Sequence, residues 1–173
     1  MNIYCERIGS RSGSSAAYAL LAAAYRSIHG EAMPEIKKTP NGKPYFAGGL
    51  DIHFSLSHSK THILCAISDA PIGVDIESPR CISERAVKYF SSPAELSMFS
   101  PLELWVLKES YVKLVGGTLP LVRNIRYTHD NESIKTSDLS AFSKLYCIEG
   151  CHAAVSTYKN NFPESINTHL LTR

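Results

Sequence analysis

Two carboxylates stand two residues apart in Gly73-Val74-Asp75-Ile76-Glu77. On a strand, alternate residues share a face, so Asp75 and Glu77 lie side by side while Val74 and Ile76 point the other way into a core. Adjacent carboxylates repel, and a hard divalent cation such as Mg²⁺ relieves that repulsion through oxygen ligands. A solvated acidic strand edge has the same pattern, so the pentapeptide alone leaves both readings open. In Trp105-Val106-Leu107-Lys108-Glu109-Ser110-Tyr111-Val112-Lys113, residues 105, 109 and 113 step by four and share one face of a helix. A reactive Glu-Lys pair fits this spacing, and so does the ordinary i, i+4 decoration of an exposed helix. Lys108 projects about 100° away from Glu109 around the helix. Phe54-Ser55-Leu56-Ser57-His58-Ser59 reads as a strand running into a hydroxyl-rich turn with an imidazole, either a phosphate cradle or a plain polar turn.

The elements that must position these groups are legible in outline. A strand is expected over residues 1–8, then a helix entered through residues 10–15 and stopped by His29-Gly30. Residues 31–49, rich in Pro and Gly, read as a loop. Strands over 53–56, 63–68 and 72–77 suggest an antiparallel meander. Helices follow from Ser83 as N-cap to 90, from Pro93, and from Pro101 to 115, the last stopped by Gly116-Gly117. Strands near 123–128, 144–149 and 152–158 close the pattern, with a polar, frayed tail from 159. Elements in this order predict an α+β fold with helices segregated against antiparallel sheets.

Composition narrows the classes. The 173 residues include 44% hydrophobic and 20% charged, which excludes disorder. Such a chain buries roughly 70% of its unfolded surface without disulfides or structural metal. Eighteen Lys and Arg against sixteen Asp and Glu give a net charge of +2, which argues against a nucleic-acid binder and its concentrated basic face. Cys5, Cys65, Cys81, Cys147 and Cys151 are odd in number and lack a C-x-x-C pair, so no disulfide framework or zinc site is expected, and residues 148–150 read as a hairpin turn. The apolar run 16–24 imitates a signal-peptide core, but Glu6 upstream and its nine-residue length favour a buried helix in a cytoplasmic protein without membrane contact.

Taken together and in this order, the motifs resemble the 4′-phosphopantetheinyl transferase superfamily, in its Sfp-type, two-lobed branch. The resemblance is carried by Gly42-Lys43-Pro44-Tyr45-Phe46, Phe54 to Ser59, Pro71 to Glu77, Tyr89-Phe90 with Glu95, Trp105 with Lys108-Glu109-Ser110 and Lys113, and Gly117 with Leu119. It is dense over residues 42–121 and holds in outline on the flanks.

The resemblance implies two similar lobes forming a pseudo-dimer, residues 1–80 and 81–173, each a small antiparallel sheet against a long helix. The active site would lie in the cleft between them, in a monomer. It implies transfer of the phosphopantetheine arm of coenzyme A to a serine of an acyl, peptidyl or aryl carrier protein of fatty-acid, polyketide or nonribosomal peptide synthesis, with release of adenosine 3′,5′-bisphosphate. Asp75, Glu77 and Glu109 would hold Mg²⁺ or Mn²⁺, Glu109 or a water it orients would act as base, and Lys113 would stabilise charge on the pyrophosphate. Coenzyme A would meet Arg11, Lys43, Pro44, Ser57, His58, Asp75 and Lys113, with His58 and Arg11 on the 3′-phosphate.

Only ten residues precede Arg11, whereas relatives carry an N-terminal extension with further lysines, so Lys37, Lys38 or Lys60 is expected to substitute or fewer cations to suffice. The chain after Gly117 is also short. An acidic carrier calls for an apolar surface with a basic rim, for which residues 86–90, Phe99 and Leu102 are candidates, unless they form core instead. The other histidines (His29, His53, His62, His129, His152, His169) receive no role. Two rival classes remain: a coenzyme A or carrier-binding module that has lost its chemistry, and a metal-dependent phosphodiesterase. The first should lack a carboxylate or the helix lysine, and the second needs a basic groove that this composition does not supply.

Overall fold

In the computed structural model, which describes residues 1–9, 12–130, 133–168 and 170, strand–helix–hairpin units recur twice. The first comprises β1 (Asn2–Arg7), α1 (Gly13–His29), a small hairpin of β2 (Ile36–Lys38) and β3 (Pro44–Phe46), then β4 (His53–His58) and β5 (His62–Ser68). The second comprises β6 (Ile72–Glu77), α2 (Glu84–Phe90), α3 (Pro93–Leu96) and α4 (Pro101–Val115). A 3-10 helix (Leu119–Arg123) follows, then a hairpin of β7 (Tyr127–Asp130) and β8 (Ser133–Thr136), and finally β9 (Phe142–Ile148) and β10 (Cys151–Thr157). In each unit the last strand takes the centre, giving antiparallel orders β1-β5-β4 and β6-β10-β9. The fold is α+β.

Alternation along the strands stacks these units in four layers. Leu20, Leu21 and Tyr25 of α1 bury against Phe54 and Ile63 on one face of the first sheet. Its other face, with Ile3, Cys5, Leu64 and Ala66, meets Val74, Ile76, Ala153 and Val155 of the second sheet. The remaining face of the second sheet, including Ala154 of β10, is covered by Leu107 and Leu114 of α4. The apolar run 16–24 thus contributes Ala16, Ala17, Leu20, Leu21 and Ala24 to the core, and no described helix is long and apolar enough to cross a membrane.

Local signals set the helix ends. Ser12 caps α1, and Gly30 closes it at φ 75°. Ser100 and Glu103 form a reciprocal capping box around Pro101, and Gly116 closes α4 at φ 65°. All five cysteines are free thiols, and Glu149 (φ 48°) with Gly150 (φ 81°) makes the expected turn between Cys147 and Cys151.

Four expectations are corrected. Strand β6 is not the third strand of a meander: it pairs with β10, Asp75 opposite Ala154, because its apolar alternation suits any antiparallel partner and does not specify the nearest. Residues 31–49 are not all loop, since β2 and β3 pair within them, each too short to show a period. The tail does not simply fray: β11 (Asn167–Thr168) lies parallel to β1, held by Asn167 Nδ2 donating to Ile3 O at 3.2 Å. Phe90, Phe99 and Leu102 are buried in the core around α4 and offer no docking surface.

Candidate active site

The site forms where the edge strands β4 and β6 meet under α4. No backbone ladder joins β4 to β6. Instead, Val74 N donates to Ser55 Oγ (3.0 Å) and Ile76 N to Ser57 Oγ (3.4 Å), so serines at alternate positions of β4 cover the exposed edge of β6. Part of the hydroxyl pattern read as a phosphate cradle therefore belongs to this seam. On the other face of β6, a Cβ at Gly73 would land on Ser110 O and Leu114 N, so only glycine lets α4 come this close to the strand. That approach brings Glu109 and Lys113, both half-buried, to the carboxylates of β6, while Trp105 on the same stripe packs against the Phe90 ring at 5.1 Å.

Asp75 is buried, and its Oδ1 accepts from Lys113 Nζ and from Ser57 Oγ, both at 2.7 Å. Lys113 Nζ also donates to Ser57 Oγ at 3.0 Å, closing a three-membered contact between β4, β6 and α4. Glu109 lies beside this group, and no hydrogen bond or ion pair reaches its carboxylate from any described residue. Burial, followed by the negative charge of Asp75 and then Glu77, pushes the Glu109 carboxyl above its ordinary range, while Lys113 opposes the rise. Glu77, at the end of β6, is gripped by Arg80 through two hydrogen bonds of 2.8 and 3.1 Å.

A cleft of about 260 Å³ opens beside Lys113, lined by residues 41–44, 54–56, Val112, Gly116 and Gly117. Lys43 and Pro44 line it as expected. The Lys43 ammonium donates to Leu114 O at 2.7 Å, and Asn41 Nδ2 to Gly116 O at 3.0 Å, so the β2–β3 turn clamps the carboxyl end of α4. Burial draws the Lys43 pKa down to about 8. His58 stands elsewhere, at the exposed end of β4 against the start of α1, where a Cβ on Gly13 would fall 2.6 Å from its Nδ1. Arg11 lies outside the described residues.

Lys108 and Glu95, both quoted for the resemblance, turn away from the site. Lys108 is fully buried, with Nζ 2.9 Å from Glu95 Oε1 and donating to the carbonyls of Phe90, Val122 and Ile125. The pair ties α2, α3 and the 3-10 helix to α4. Sequence reasoning does not single out Arg80 or Asn41, and it reads Ser55 as part of a phosphate cradle and not as the cover of a strand edge. Only Arg80, three residues beyond Glu77, carries a local signal.

Asp75, Glu77 and Glu109 are three hard oxygen donors on adjoining elements, and the Glu109 carboxyl, raised first by burial and then by the charge of Asp75 and Glu77, lies close enough to feel both. This donor chemistry suits a hard divalent cation and not a thiophilic one. Among the described residues, however, no three His, Cys, Asp or Glu side chains are arranged to hold a metal ion. Asp75 is instead paired with Lys113 and Glu77 with Arg80.

No protein-family model matches the chain. It is 33% identical over 138 residues to the 4′-phosphopantetheinyl transferase gsp of Aneurinibacillus migulanus, covering 64% of this chain and 56% of that protein. It is 33% identical over 142 residues to the 4′-phosphopantetheinyl transferase Sfp of Bacillus subtilis (strain 168), covering 72% and 63%. With the 4′-phosphopantetheinyl transferase AcpT of Escherichia coli (strain K12) the identity is 32% over 129 residues, 66% of each. The chain belongs to the 4′-phosphopantetheinyl transferase family. It spans 56% and 63% of the lengths of the first two relatives.

Proposed function

We propose that the chain transfers the 4′-phosphopantetheine arm of coenzyme A to a serine of an apo carrier protein and releases adenosine 3′,5′-bisphosphate. The observation that carries this reading is the convergence of Lys113 on Asp75, with Glu109 beside them, at the cleft that holds Lys43 and Pro44. The names of the relatives support the reaction class.

In this reading the pyrophosphate of coenzyme A enters the cleft and meets the Lys113 ammonium, which Asp75 and Ser57 hold at a fixed point. A cation positioned beforehand stabilises charge developing on phosphoryl oxygens without reorganising during the reaction. Glu109, whose carboxyl is raised by burial and by Asp75, takes the proton of the carrier serine, directly or through a water. The serine oxygen bonds to the β-phosphorus, and the bond to the bridging oxygen breaks with its electron pair leaving on adenosine 3′,5′-bisphosphate. Asp75, Glu77 and Glu109 would hold Mg²⁺ or Mn²⁺, which supplies polarisation of the phosphorus centre and charge neutralisation. His58 at the start of α1 suits the 3′-phosphate end: Ser12 caps this helix and its first turn has no acidic residue.

We further read the two strand–helix–hairpin units as lobes of a pseudo-dimer acting as a monomer in the cytoplasm. The division at residue 80 follows the chain, although hydrogen bonding gives β6 to the second sheet. Chromatographic detection of adenosine 3′,5′-bisphosphate tests the reaction. It should accumulate only when coenzyme A and an apo carrier are both supplied, and release without a carrier would assign a hydrolase instead.

A further inference from the structure

Arg80 has no place in the reaction above, yet it occupies one of the proposed ligands. Its Nη2 lies 2.8 Å from Glu77 Oε1 and its Nε 3.1 Å from Glu77 Oε2, so one planar fork engages both carboxylate oxygens. The pair spans three residues across a bend at Pro79, whose ring restricts the backbone that returns the guanidinium to the strand end. The Arg80 side chain is 38% exposed and can leave without disturbing the core.

The three carboxylates are therefore neutralised unequally. Asp75 is ion-paired with Lys113 and Glu77 with Arg80, whereas Glu109 makes no hydrogen bond or ion pair with a described residue and feels Lys113 only through space. We propose that Arg80 is a built-in competitor of the divalent cation for Glu77 and so sets how tightly that cation binds. The inference rests on the ligand assignment made above. A cation that draws on all three carboxylates must displace the fork from Glu77, which requires rotation of one exposed side chain and no backbone movement. Lysine at this position, a point charge without the fork, would compete less well.

Mn²⁺ binding to the full chain, read from the electron paramagnetic resonance signal of the free ion without coenzyme A, tests this. Arg80→Gln should bind Mn²⁺ about 2–5-fold tighter than the unaltered protein, the span expected for releasing a partly exposed ion pair. Arg80→Lys should fall between them, and on a Glu77→Gln background Arg80→Gln should change nothing. Unchanged or weaker binding by Arg80→Gln, or the same gain on the Glu77→Gln background, would overturn the proposal. Two failures are distinguishable. Binding that Glu109→Gln abolishes but Arg80→Gln leaves unaltered sinks the competitor role alone. Absence of Mn²⁺ binding by every form sinks the ligand assignment and the competitor role together.

Discussion

Lys113 Nζ reaches Asp75 Oδ1 at 2.7 Å from a helix position 38 residues further along the chain, and Ser57 Oγ touches both atoms. The ammonium is thus fixed on the floor of the cleft by two strands. Lys113→Ala should lower kcat/KM for coenzyme A by about 10²–10³-fold, the usual effect of removing one positioned electrostatic donor. Steady-state kinetics with an apo carrier checks this, and a loss below threefold would remove Lys113 from the mechanism.

Glu109→Gln should abolish turnover, a loss of about 10²–10⁴-fold for a general base, while the fold is kept. Because the folded pKa of Glu109 is raised, the native state binds its proton more readily than the unfolded chain does. The stability it contributes is full below the ordinary glutamate pKa and is lost as pH rises through the raised value. The Gln variant should therefore match the unaltered protein at acid pH and melt higher at neutral pH. Differential scanning calorimetry across that range reads the sign.

Lys43 gives a second pH dependence. Its ammonium, lowered to about 8 by burial, lines the cleft. Coenzyme A is anionic, so its affinity should fall as pH rises through about 8, and Lys43→Met should flatten that part of the profile. Isothermal titration at several pH values checks both.

Gly73→Ala should force β6 and α4 apart, because the added methyl meets the backbone of Ser110 and Leu114. A cost of about 1–3 kcal/mol or more is expected from overpacking, with turnover lost in the molecules that remain folded. Urea unfolding, together with activity per folded molecule, separates these effects.

Lys108→Met should leave Glu95 charged and buried without its ammonium, at a cost of about 3–5 kcal/mol. Lys108 does not face the cleft, so folded protein at low temperature should turn over normally. Thermal melting and low-temperature kinetics test the two halves.

Much of the site was legible because its signals are local. Asp75 and Glu77 share a face through the strand period of two, and Trp105, Glu109 and Lys113 share one through the helix step of four. Gly73 could have been recognised as a point of close approach, since glycine inside a strand usually marks one. The partner of β6 was not legible, because β10 lies some 80 residues away in sequence and any antiparallel strand satisfies the same alternation. The pairing of β11 with β1 likewise joins the two ends of the chain. Lys108 looked like a surface lysine next to Glu109, and its burial depends on three carbonyls and a carboxylate brought together by tertiary packing. Lys43 and Asn41 cap a helix more than 70 residues away, a relationship that spacing cannot express.

Transfer of the phosphopantetheine arm is tested most directly by intact-mass spectrometry of an apo acyl carrier protein incubated with this protein, coenzyme A and Mg²⁺, with EDTA as control. The carrier should gain one phosphopantetheine unit, and EDTA should prevent the gain. No gain on acyl, peptidyl or aryl carriers, with coenzyme A still bound, would contradict it and leave a binding module of the same fold.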